Sequence, residues 1–156
     1  MSVSEAATKQ YQAIVNRAAA LIGQQPNLPN EGWMATARKA LGMSAAQLAR
    51  RLGVTRARVS QAERAELSGG VTLKTMQATA EAMGCRFVYA IVPIEGQVED
   101  IVAAQARRRA QALVGRAAVH MALERQSLPD RKNKGEVERI AGELIRTMPA
   151  DFWADK

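Results

Sequence analysis

The stretch GMSAAQLARRLGVTRARVSQAERAE, residues 42–66, holds two helix starts and one helix stop in close succession. Ser44 is placed to cap a helix, and Gln47, three residues on, can return a bond to the Ser44 backbone N–H. Leu48, Ala49 and Leu52 form the inward stripe of that helix, and the small Ala49 lets another helix cross closely. Gly53 stops it, because a tight turn between helices calls for a left-handed residue. Thr55 then caps the next helix only two residues later, so the two axes must meet at a steep angle.

The second of these helices has two distinct sides at about 100 degrees per residue. Val59 and Ala62 face inward. Arg56, Ala57, Ser60, Gln61 and Arg64 share the opposite arc, about 140 degrees wide, where long donors alternate with small side chains. Small residues let a helix approach base edges in a major groove, where Arg can bond guanine O6 and N7 and Gln can bond adenine N6 and N7. Arg58 lies on the flank and is better aimed at phosphate. These residue types in this order read as a DNA-reading helix-turn-helix.

Working outward, the spacing predicts further helices over 33–41 and 73–83, which with 45–52 and 56–65 make a small bundle. Upstream, Tyr11, Ile14, Val15, Ala18, Leu21 and Ile22 form one amphipathic stripe, followed by a linker, GQQPNLPN. Downstream the character changes at Arg86-Phe87-Val88-Tyr89-Ala90-Ile91-Val92, an aromatic and β-branched run closed by Pro93 that reads as a strand. One strand cannot satisfy its own backbone groups. It either pairs antiparallel with Phe87, Val88, Tyr89, Ala90, Ile91 and Val92 of a second copy about a two-fold axis, or packs against its own helices.

Beyond Glu95, a long amphipathic pattern runs through Val98, Ile101, Val102, Leu113, Ala117, Met121 and Leu123. A polar loop from Gln126 to Lys134 then leads to a last helix with Val137, Ile140, Ala141, Leu144, Ile145 and Met148 on one face. Arg107–Arg109 is expected to be a solvated face with at most weak attraction to a DNA backbone. Phe152 and Trp153 either dock on the body or anchor a partner. The expected architecture is mainly α: an N-terminal helical arm and linker over 1–30, a DNA-binding domain with a terminal strand over 31–93, and a helical region over 94–156.

Composition agrees. The chain has 156 residues, 47% hydrophobic but only 4% aromatic, which favours alanine-rich helices. With 22 Lys and Arg against 15 Asp and Glu its formal charge is +7, suited to a polyanion. The single Cys85 excludes an internal disulfide and reads as a small core residue in a reducing compartment. His120 has no second ligand or nearby nucleophile and is expected to be packed, so neither a metal, a cofactor nor an enzymatic activity is expected. With no long apolar run and no basic-then-apolar leader, the expected location is the bacterial cytoplasm, on the nucleoid, away from the membrane.

In Leu48-Ala49, Gly53-Val54-Thr55 and Glu63 the chain resembles the Xre and lambda-repressor-like helix-turn-helix family over about residues 32–92. The resemblance implies Arg56, Ala57, Ser60 and Gln61 as base-reading residues, with Thr55 and Arg58 at backbone-contact positions. Ala45 stands where the family commonly has a glutamine that touches the DNA backbone. Thr72 and Lys74, at the next helix start, can substitute because a helix N-terminus attracts phosphate. Ser44 and Arg64 complete the expected backbone set.

Over a longer span, Gly32-Trp33, Val71–Thr75, Gly84–Ala90 with Val92-Pro93, and Met121–Glu124 resemble the narrower family called mobile mystery protein A. Its members sit beside a Fic-domain protein in a toxin–antitoxin-like arrangement. This implies an autoregulating, homodimeric repressor on an inverted-repeat operator in double-stranded DNA, or alternatively an antitoxin whose helical arms sequester a Fic-domain partner. Neither Glu31-Gly32 nor Glu95-Gly96 is preceded by the Ser or Thr of the usual Fic-inhibitory motif, so inhibition through that motif is not expected.

Overall fold

A computed structural model describes residues 3–22, 28–124 and 130–154. Seven helices are found among them: α1 (Val3–Ile22), α2 (Gly32–Ala40), α3 (Ala45–Leu52), α4 (Arg56–Leu67), α5 (Leu73–Ala82), α6 (Val98–Leu123) and α7 (Asp130–Thr147). The chain divides into two compact units: residues 22–90, and residues up to 21 together with those from 91 onward.

The unit of residues 22–90 is the four-helix bundle α2–α5. Its core joins Leu48, Ala49, Val59 and Met83, with Ala37, Met43, Ala45, Leu52 and Ala82 packed partly against them. Thus the inward stripes of α3 and α4 meet in one cluster. Met34, Ala35, Met76 and Ala80 are also buried. Trp33 is half exposed, and its neighbours Met34 and Ala35 anchor α2.

In the other unit α6 and α7 form the principal helix pair. Val102, Ala106, Ala110, Ala141 and Phe152 are its buried centre, flanked by Val137, Ile140 and Leu144. Alanines at three of these positions let the axes approach and leave room for one large ring. Phe152 fills it at 1% exposure. Gln105, also buried, donates Nε2–H to the Phe152 carbonyl at 2.7 Å, and Arg109 donates to the Asp151 carboxylate at 2.7 Å. Docking on the body is therefore the role of Phe152, while Trp153 stays half exposed and meets it edge-on at 5.0 Å. The N-terminal helix belongs to this unit: Asn16 Oδ1 accepts the Val98 N–H at 3.0 Å, capping α6 from outside.

Several expectations need correcting. Residues 86–92 form no strand, and the described residues contain none. No backbone N–H or C=O of that segment is hydrogen-bonded among the described residues, and a ladder needs a second strand to exist at all. Cys85 is exposed rather than core. The turn that ends α5 carries the chain outward there, with the Cys85 N–H bonded back to the Ala80 carbonyl at 2.8 Å. His120 is exposed as well. The buried stripe of α6 is Val102, Gln105, Ala106 and Ala110, whereas Ile101, Leu113 and Leu123 stay exposed. Of the expected loop 126–134, residues 130–134 are helical, and 126–129 lie outside the described residues, as do 23–27 of the expected linker.

Candidate nucleic-acid interface

The turn between α3 and α4 is built as its residues dictate. Ser44 Oγ accepts the Gln47 N–H at 3.2 Å while the Ser44 N–H donates to Gln47 Oε1 at 2.7 Å. Two orphan donors at the start of α3 are thereby satisfied reciprocally. Gly53 ends α3 with φ 68°, a left-handed conformation that a Cβ would strain. Thr55 caps α4, its Oγ1 accepting the Arg58 N–H at 3.2 Å. Thr72 does the same for α5, accepting the Thr75 N–H at 3.1 Å.

What holds α4 is a pair of carboxylates on its inner flank. Glu63 accepts from Arg38 Nε at 2.7 Å and from its NH2 nitrogen at 3.2 Å, while the Arg38 NH1 nitrogen donates to the Met43 carbonyl at 3.0 Å. The hydrogen bond to Glu63 raises the Arg38 pKa above its ordinary value, against the opposing effect of burial. One turn on, Glu66 accepts the Trp33 and Met34 N–H groups at 2.6 and 3.0 Å, capping α2 from a neighbouring helix. Gly32, at φ 80°, makes room for it: a Cβ there would meet Glu66 carboxylate atoms at 2.8 Å.

The outer side of α4 is different. Arg56, Ala57, Arg58, Gln61 and Arg64 are exposed and Ser60 is half buried. Beside it, α3, α4 and α5 enclose an apolar recess of about 290 Å³ whose lining includes Leu48, Val59 and Thr79 together with Arg58 and Lys74. The structure thus brings Arg58 and Lys74 to one place, next to the capped start of α5 at Thr72. Ser44, Thr55 and Thr72 are all exposed, each using its side chain as a cap.

Arg38 and Glu66 carry no local motif that announces their roles. The clue was available: Glu63 and Glu66 extend the inward flank of α4 begun by Val59 and Ala62, and a carboxylate there needs a cation or a helix start for a partner.

Four short helices, two of them joined by a capped three-residue turn with a left-handed glycine, agree with the family comparison, in which residues 34–89 match the helix-turn-helix model. Residues 34–89 carry a helix-turn-helix domain. No curated protein and no solved structure matches the chain. A helix-turn-helix domain supports a DNA-binding transcription regulator. No helix among the described residues is long and apolar enough to cross a membrane, and none of their His, Cys, Asp and Glu side chains cluster in a way that could hold a metal ion.

Proposed function

We propose that the chain is a sequence-specific transcriptional repressor that acts as a homodimer on an inverted repeat near its own gene. The observation that carries this reading is the outer side of α4. Arg56, Ala57, Ser60 and Gln61 lie within two turns, no hydrogen bond or ion pair among the described residues engages their side chains, and basic groups flank them. In this reading α4 enters the major groove, where Arg56 and Gln61 pair with base edges and Ala57 and Ser60 permit the close approach. Ser44, Thr55, Arg58, Arg64, Thr72 and Lys74 contact phosphates and set the register. The formal charge of +7 speeds encounter with any duplex. Two copies joined through residues 86–92 offer two such helices about 34 Å apart, one turn of DNA. Occupying a promoter in this way excludes polymerase.

Footprinting across the DNA around its own gene tests this directly. The expected result is one protected inverted repeat with half-sites a helical turn apart, and protection that fades steeply with salt. Uniform, sequence-independent protection would overturn the reading.

A second reading takes the chain as an interaction protein that holds a Fic-domain partner through its helices. It is favoured by the exposed Tyr11, Ile14 and Leu21 on α1. Deleting residues 97–156 separates the two: loss of partner capture with retained operator binding supports the second as an added activity.

A further inference from the structure

Residues 86–95 read Arg-Phe-Val-Tyr-Ala-Ile-Val-Pro-Ile-Glu, eight apolar residues bracketed by one positive and one negative charge. Val88 and Tyr89 are exposed, Ile91 is 91% exposed and Ile94 fully so, while the Phe87 and Tyr89 rings stack at 5.5 Å. Among the described residues, no backbone group of 86–94 is hydrogen-bonded, and neither Arg86 nor Glu95 has an ion-pair partner. Phe87 and Tyr89 also wall an apolar recess of about 510 Å³, lined besides by Trp33, Met34, Met76 and Met83. So long an apolar edge with free donors and acceptors is built to receive another extended backbone.

We propose that this segment recognises the same segment of a second copy, antiparallel, with Arg86 of each chain closing on the partner's Glu95 and the added segment roofing the recess beside Phe87. The inference rests on the dimeric reading above and specifies its interface. Charge decides the direction. Antiparallel pairing brings opposite charges together at both ends, whereas parallel pairing sets Arg86 against the partner's Arg86 and Glu95 against the partner's Glu95.

Proline decides the register. Pro93 has no N–H and must sit in a non-hydrogen-bonded pair. A two-fold axis at Ala90 achieves this, with Ala90 opposite its own copy in a hydrogen-bonded pair and Val88 opposite the partner's Val92 in the next such pair. Tyr89 then lies opposite the partner's Ile91 in the closer, non-hydrogen-bonded spacing, a favourable aromatic and β-branched match on the face of Phe87. Arg86 falls one residue from the partner's Glu95, a distance its long side chain can span.

The test uses the full-length chain without DNA, in sedimentation equilibrium and native mass spectrometry. The wild type should be dimeric. Arg86→Glu and Glu95→Arg each place like charges at both ends and should weaken self-association about tenfold. The double variant should recover it. Mixing the two single variants should yield predominantly the mixed dimer. Ile91→Asp should give monomers whose circular dichroism retains the helices. A monomeric wild type, single variants as tightly dimeric as wild type, or a mixture that shows no preference for the mixed species would overturn the proposal. Operator binding is read separately: a dimer insensitive to these charges that still protects an inverted repeat sinks this interface and leaves the repressor, while a charge-sensitive dimer that ignores DNA does the opposite.

Discussion

Arg38 grips Glu63 through two nitrogens at 2.7 and 3.2 Å, tying α2 to the inner flank of α4. Their side chains are only 11% and 15% exposed, so little water is available to replace either partner. Removing one member strands the other charge. Glu63→Gln should therefore destabilise the helix-turn-helix domain by about 3 kcal/mol in chemical denaturation. Arg38→Met combined with Glu63→Leu should lose much less than the sum of the two single changes, because no unpaired charge is left behind.

The Ser44 and Gln47 exchange predicts a smaller effect. Ser44→Ala removes the acceptor for the Gln47 N–H at 3.2 Å and should cost about 1 kcal/mol of stability. A second change, Gln47→Ala, should add little to it, since one reciprocal unit is already broken. Thermal melts of the two single variants and the double would show the non-additivity.

On the DNA side, two classes of variant should separate. Arg56→Ala or Gln61→Ala should weaken operator binding by about 1–3 kcal/mol and relax preference at one or two base pairs. Lys74→Ala or Arg58→Ala should weaken binding to all sequences alike and lower the salt slope by about one. Binding titrations on operator and scrambled duplexes at several salt concentrations read both. If all four variants behave alike, the division into reading positions on α4 and backbone positions on α4 and α5 is wrong.

Phe152 is the largest side chain in its cluster and is 1% exposed. Phe152→Ala should cost about 3–5 kcal/mol, since the surrounding alanines have no long side chains with which to close the gap. Gln105→Leu should also destabilise, because the Phe152 carbonyl would lose the donor it has at 2.7 Å. Hydrogen exchange should locate both losses in α6 and α7, with α2–α5 unaffected.

Where a residue type admits one local answer, the sequence could be read. Ser44, Gly53, Thr55 and Thr72 fixed four helix limits, because caps and a left-handed turn are decided within a few residues. Leu48, Ala49 and Val59 showed the core for the same reason: a period of 3.6 leaves one inward stripe. The failures are non-local. Residues 86–92 have strand-forming side chains, yet a ladder is a property of two backbones and one chain supplies a single one. The burial of Gln105 on α6 depends on where Phe152 returns, 47 residues later. Glu66 likewise finds the N–H groups of Trp33 and Met34 across a bundle that periodicity cannot fold.

The two sides of α4 answer to different selective demands. Val59, Glu63 and Glu66 hold the helix in place, while the side chains of Arg56, Ala57, Ser60 and Gln61 bear no polar contact among the described residues. A library randomised at the exposed Arg56, Ala57 and Gln61, with proline and glycine left out, should consist mostly of folded members with melting temperatures near wild type, differing chiefly in the duplexes they prefer. New operator preferences can then arise one substitution at a time, each step passing through a protein that is already intact.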